Sequence, residues 1–261
     1  MITELARDTP SWGEITRLID STPLPSGKSR ETVKRSDQAG HAGYGYCASH
    51  SRYLWEFRLY LICTPERMTV VWGLANPKIG EREATETMLR HDRHLIRPGQ
   101  IIVGDKGFAG KHFEAFITGG LEAELIRPDR KDEKPRFGKL GGIRQWVESI
   151  FDTMKGQLTL EDHGGRTIPG VSRRVAGRLL ALAAGLWHNW LIGAPNKRSL
   201  IAYDHEGSLI WAALVRTGAA SGRCRVPRRF GQIATSGHPE IPGFSEAVAL
   251  RVSTPHFGET V

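Results

Sequence analysis

Three acids in this chain stand apart by what surrounds them. Asp20 closes the apolar stretch Leu18-Ile19, Asp105 closes Ile101-Ile102-Val103-Gly104, and Glu148 follows Val147 inside an amphipathic stretch. A carboxylate at the C-terminal end of a buried strand lies where α/β sheets place ligands. Taken singly, each reads as a cap, a turn residue or a surface acid. Taken together, they read as a cluster. Carboxylates brought close repel one another and rise in pKa unless a cation sits among them. Hard divalent cations such as Mg²⁺ favour such oxygen donors. Two of these ions held about 4 Å apart activate a water and stabilise a leaving oxygen in phosphodiester displacement. The residue types therefore point to metal-dependent chemistry on a polyanion.

Other chemistries find less support. Pro25-Ser26-Gly27-Lys28-Ser29 looks like the end of a phosphate loop, but Thr22 stands where that motif needs its first glycine. The segment also follows two prolines, is not expected to open a helix and reads as a solvated basic loop, so no nucleotide cofactor is expected. His91 and His94 share a helical face without a third ligand nearby and read as surface histidines. Neither a Gly-x-Ser-x-Gly elbow nor a His-Glu-x-x-His motif occurs. Cys47, Cys63 and Cys224 are scattered and lack both disulfide-scaffold and zinc spacing.

Charge supplies the partner class. Lys and Arg number 36 against 28 Asp and Glu, which leaves a net charge of +8 and a pI near 9.6. Such an excess favours nucleic acid as the partner. No apolar run reaches the roughly 18 residues of a membrane helix. The N-terminus shows no secretory apolar core. The expectation is a cytoplasmic protein with no membrane partner.

The elements that must carry these acids follow from periodicity. Residues 12–21 read as a strand ending at Asp20, and residues 22–52 as a long Gly, Ser and basic-rich loop. Residues 53–63 and 69–75 read as a hairpin, 80–95 as a helix and 100–104 as a buried strand ending at Asp105. A short helix over 110–119, a strand over 123–127 and a charged loop over 129–139 lead to two long helices. The first covers 142–159, with apolar residues at spacings of three and four. The second covers 171–192. The order is mixed α/β, with helices expected on both sheet faces. Residues 1–14 read as a short N-terminal piece, 15–206 as the body, and 207–261 as a poorly ordered Gly- and Pro-rich tail.

The blocks Ile19-Asp20-Ser21-Thr22-Pro23, Gly104-Asp105-Lys106-Gly107-Phe108 and Arg144-Gln145-Trp146-Val147-Glu148 resemble the catalytic blocks of bacterial insertion-sequence DDE transposases. The third fits a motif of the form Tyr-x2-Arg-x3-Glu-x6-Lys through Arg144, Glu148 and Lys155, with Gly141 at the Tyr position. Offsets of four and seven place Arg144, Glu148 and Lys155 on one helical face. Tyr44–Trp55 resembles the lead into the second strand, and Trp187-His188-Asn189-Trp190 the end of the closing helix. The resemblance implies an RNase H-like sheet in which Asp20, Asp105 and Glu148 bind two Mg²⁺ ions, with Mn²⁺ as a substitute. It implies cleavage of double-stranded DNA at element ends, followed by strand transfer into target DNA. Lys106, Arg144 and Lys155 would meet phosphates, and Lys28, Arg30 and Arg52 would line the DNA from the basic loop. It further implies a homodimer when active and a bacterial, nucleoid-associated setting. Only nineteen residues precede Asp20, fewer than the family's helical N-terminal region, so the reading expects a truncated chain. Two other expectations compete: a catalytically silent DNA-binding remnant, and a host nuclease on the same fold.

Overall fold

A twelve-residue strand, Thr16–Gly27 (β1), forms the spine of the protein. The computed structural model describes residues 1–27, 30–47, 51–131, 133, 134, 136 and 140–194. Residues 207–261 and Lys28 lie outside them. After a first helix, Ile2–Asp8 (α1), and β1 come a short helix Arg30–Arg35 (α2) and the strands Gly43–Cys47 (β2), Arg52–Cys63 (β3) and Thr69–Ala75 (β4). The helix Glu81–His91 (α3), strand Ile101–Val103 (β5), helix Lys111–Ala115 (α4) and strand Glu124–Ile126 (β6) follow. Two long helices, Gly141–Gly156 (α5) and Ile168–Leu191 (α6), close the described chain.

The six strands form one mixed sheet. Its main path runs β2-β3-β1-β5-β6, and β4 pairs with β3 beyond the end of β2. β1 pairs antiparallel with β3 from Leu18↔Cys63 to Gly27↔Trp55, and parallel with β5 over Thr16↔Ile101 to Leu18↔Val103. β3 is apolar along most of its length because both of its faces are covered. On one face Ile19, Ile62 and Ile102 pack against Leu89 of α3 and against Phe113, Phe116 and Ile117. On the other lies α5, whose Val147, Ile150, Phe151 and Met154 are buried at helical spacing. α6 packs beside α5, and α1 bridges α6 and β4. The arrangement is an α/β fold compatible with the RNase H-like class.

Two expectations change. β1 does not stop at Asp20; what stops there is its partner. β5 leaves after Leu18↔Val103, while pairing with β3 carries β1 on to Gly27. Residues 22–52 are likewise not one loop, since they hold the end of β1, α2 and β2. The Gly, Ser and Tyr content hid β2, where Gly43, Gly45 and Cys47 are buried and Tyr44 and Tyr46 exposed, so burial does not follow an apolar and polar alternation. A helix does open at Arg30, soon after the Gly27-Lys28-Ser29 stretch, although Thr22 still denies that stretch the first glycine of a phosphate loop.

The direction of backbone bonding along β1 matters for the site. Ile101 N–H donates to Ile15 carbonyl at 2.8 Å, so the odd-numbered residues of β1 aim their polar groups toward β5. Past Leu18 no strand continues along that side among the described residues. Pro23 and Pro25 fall on this parity and have no N–H to leave unpaired there. The Pro25 carbonyl is taken by His163 Nε2 at 3.0 Å.

Candidate active site

The register brings the two aspartates together. Leu18 and Val103 are the last pair of the parallel ladder, and Asp20 and Asp105 each lie two residues beyond. Side chains alternate along strands, so Asp20 and Asp105 keep the face of Leu18 and Val103, the one covered by α5. Leu18, Asp20, Val103, Asp105 and Val147 of α5 line one narrow cleft. Neighbouring strands lie about 4.8 Å apart, which sets the scale on which the two carboxylates approach.

Each carboxylate is oriented by a backbone donor next to it. Ser21 N–H is on the parity that β5 abandoned, and it donates to Asp20 Oδ1 at 2.8 Å. Asp105 caps the tight turn Lys106–Phe108, with Oδ1 accepting Gly107 N–H at 2.6 Å. Both aspartates are half-buried. One such bond to each carboxylate orients it while the groups still face the cleft.

A third acid reaches this corner that the sequence reading did not select. Glu81, the first residue of α3, accepts the Ser21 hydroxyl at 2.7 Å through Oε1. Its Oε2 would lie 2.4 Å from a Cβ added at Gly107, and Asp105 Oδ1 would lie 2.8 Å from the same point. The next residue, Arg82, donates to the Ala109 carbonyl at 2.7 Å, and Arg130 reaches that oxygen at 3.1 Å. The first turn of α3 thus grips both the residue after Asp20 and the turn after Asp105. At Gly107 of Asp105-Lys106-Gly107 the two carboxylates crowd the space of a side chain, so an added methyl would have to displace their tips. Gly104 is crowded in a similar way, since its Cβ would meet the Phe108 ring at 2.8 Å and Ile19 at 3.0 Å. The signal in sequence was a Glu in the first turn of a helix, which reads equally as an ordinary dipole-matching acid.

The remaining sequence-selected residues distribute unevenly. Glu148 is exposed on α5, one position after the cleft-lining Val147. Among the described residues no three His, Cys, Asp or Glu side chains close into a metal-holding group. Lys106 is exposed directly after Asp105. Lys155 is half-buried and ion-paired with Glu161 at 3.2 Å, so a phosphate would have to compete with that carboxylate. Arg52 is exposed at the start of β3, far along the sheet. Arg30 opens α2 and Arg144 lies in α5, and their side chains lie outside the described ones. The donor set at the cleft is all carboxylate oxygen, which suits a hard divalent cation at Asp20 and Asp105. Glu148, the third acid of the sequence reading, is exposed on α5 and does not line the cleft with that pair.

Residues 11–184 match the family model of the transposase DDE domain. The chain belongs to that family. The match runs from the start of the sheet into α6 and spans all three acids. Transposases of this family act on DNA and generally use divalent metal ions, so the partner class and the reaction class of the fold follow. No curated protein matches the chain.

Proposed function

We propose that this DDE transposase domain cuts DNA at the ends of an insertion sequence and joins the freed 3′-hydroxyl to target DNA. The observation that carries the reading is the register: Asp20 and Asp105 each stand two residues past Leu18↔Val103, on the face covered by α5. In this reading Asp20, Asp105 and Glu148 hold two Mg²⁺ ions, with Mn²⁺ as a substitute. When bound, the metal supplies an activated nucleophile and charge stabilisation of the leaving oxygen. The chain's own residues contribute position. Ser21 N–H and Gly107 N–H fix the two carboxylates, and Glu81 ties Ser21 to the first turn of α3. Lys106 offers a cation to a phosphate beside Asp105, and Arg144 and Lys155 extend that field along α5. The active form is a homodimer on DNA in the bacterial nucleoid.

The exposed position of Glu148 favours a second reading, a catalytically silent DNA-binding remnant. One experiment separates the two. A duplex carrying the sequences that flank the gene is incubated with Mg²⁺ or Mn²⁺, using wild type beside Asp105→Asn and Glu148→Gln. Metal-dependent nicking that both substitutions abolish, with DNA affinity intact, supports the transposase. Salt-sensitive binding without nicking by wild type supports the remnant. Full activity of Asp105→Asn removes that residue from the site.

A further inference from the structure

The β2–β3 hairpin carries three tyrosines in a position that buried packing does not explain. Tyr44, Tyr46 and Tyr53 are 49%, 52% and 71% exposed. Tyr46 and Tyr53 face each other across the strands, ring centroids 5.3 Å apart and edge-to-face. Tyr44 pairs with Trp55, which is buried. Exposed tyrosines arranged in one stripe mark interaction surfaces, because each ring offers apolar area with a polar tip.

Strand parity places this stripe relative to the cleft. Tyr53, Trp55, Phe57, Leu59 and Leu61 alternate onto one face of β3, and Leu61 is the partner of Asp20. The tyrosines therefore share a sheet face with the two aspartates. Eight residues of β3 separate Tyr53 from Leu61, about 26 Å of extended strand. That distance equals roughly eight steps of DNA at about 3.4 Å each.

Charge identifies the occupant. Val33 of α2 and the Trp55 ring both border the space beside Gly27, so α2 lies next to the stripe. Among described residues 33–53 the exposed charged side chains are Lys34, Arg35, Asp37 and Arg52. A second copy docking here by two-fold symmetry would bring this cationic patch against itself. A polyanion meets no such opposition.

We infer that Tyr44, Tyr46 and Tyr53, bordered by Lys34, Arg35 and Arg52, form an outboard docking surface for duplex DNA whose reactive phosphate lies at the Asp20–Asp105 cleft. The inference rests on the transposase reading for the position of that phosphate. The rings lie against deoxyribose and base edges, and the cations meet backbone phosphates.

Anisotropy with a labelled duplex spanning both regions tests it through binding alone. Tyr46→Ala with Tyr53→Ala is expected to weaken binding about tenfold with the salt slope unchanged, and Tyr46→Phe with Tyr53→Phe to stay within about twofold, since apolar contact with deoxyribose and base edges needs only a ring. Arg52→Ala is expected to lower the salt slope by about one. Tyr53→p-benzoylphenylalanine is expected to cross-link to DNA, about eight base pairs from any nick that wild type makes. If wild type binds DNA and the alanine pair binds equally well, the docking surface is wrong while the transposase reading stands. If wild type binds no DNA, the transposase reading itself fails. Cross-links only to a second copy of the chain would also overturn the proposal. A melting-temperature comparison of the alanine and phenylalanine pairs guards against simple unfolding: weaker binding by a variant that melts with wild type counts in favour.

Discussion

Gly107→Ala tests the geometry of the aspartate corner more directly than loss of a carboxylate does. Gly107 does not take a left-handed φ, so its backbone accepts alanine and the effect is confined to the added methyl group. That methyl would lie 2.4 Å from Glu81 Oε2 and 2.8 Å from Asp105 Oδ1, short of ordinary 3.4 Å contact by 1.0 and 0.6 Å. Neither oxygen retreats freely. Asp105 Oδ1 is held by the Gly107 N–H at 2.6 Å, and the other Glu81 oxygen by the Ser21 hydroxyl at 2.7 Å. Overpacking of this kind costs about 1–3 kcal/mol. A domain of this size loses about 2–4 °C in Tm per kcal/mol. The catalytic loss is larger, because a displacement of about 1 Å at reacting groups costs about 100-fold in rate. The assay is the rate of metal-dependent nicking under saturating DNA, measured beside Tm and DNA affinity. The expected pattern is a rate loss of about two orders of magnitude, a Tm loss of several degrees and an unchanged Kd. A Gly107→Ala variant that nicks within about threefold of wild type would refute the proposed crowding of Glu81 and Asp105. Gly177→Ala provides the control, since Gly177 lies in α6 with nothing within 4 Å of its added methyl. It is expected to raise Tm slightly, as glycine in a helix interior costs about 1 kcal/mol relative to alanine.

Two further predictions concern what holds the sheet and its loops. Arg127 is buried and forks between Glu114 at 2.7 Å and Glu133 at 2.6 Å. Arg127→Ala leaves two carboxylates facing each other and is expected to cost about 2–3 kcal/mol, below the 3–5 of a fully buried pair because both acids keep solvent contact. The Arg127 hydrogen bond holds the Glu133 carboxyl down at about 2. Its contribution is therefore complete above the ordinary carboxylate pKa and fades as pH falls toward 2, and in Arg127→Ala that acid-dependent loss in Tm is expected to shrink. His163 is locked as a neutral ring, with Nδ1 accepting Gly165 N–H and Nε2 donating to the Pro25 carbonyl, both at 3.0 Å. Burial lowers its pKa below the ordinary value of 6.5. The unfolded chain then takes up the extra proton, so stability is expected to fall as pH drops through about 6.5. Thermal melts at pH 7.5 and 5.5 check this, and His163→Phe is expected to narrow the difference between them.

Much of the fold was legible because burial leaves periodic marks. The apolar run of β3, the three-and-four spacing of α5 and the apolar body of α6 each emerged where expected. β2 did not, because its pattern is glycine and cysteine facing inward under exposed tyrosines, which inverts the usual signal. The end of β1 was missed because its even residues still pair with β3 after β5 has left, and periodicity does not record which neighbour a strand has. Asp20 and Asp105 were selected from their place after apolar runs, and the register gives that place a geometric meaning. Glu81 was not selected, because its role depends on contacts across 60 residues to Ser21. Lys155 was read as a phosphate contact, and its ion-pair partner Glu161 lies on a turn that periodicity does not foresee.

The prolines of β1 bear on how this edge of the sheet resists pairing with a foreign strand. A strand with one side open is a template on which a stray strand from another chain can nucleate. Past Leu18 the open side of β1 would present alternate N–H groups to any such strand, and Pro23 and Pro25 delete two of them in succession. His163 then occupies the Pro25 carbonyl that would have accepted from the intruder. The cleft thus needs β5 to withdraw so that Asp20 can bond its own neighbour, and the same withdrawal creates an aggregation hazard. Two imino acids neutralise that hazard without adding a charge beside the carboxylates. Replacing both with valine would leave the aspartates in place and turn this edge into a seed for intermolecular sheet.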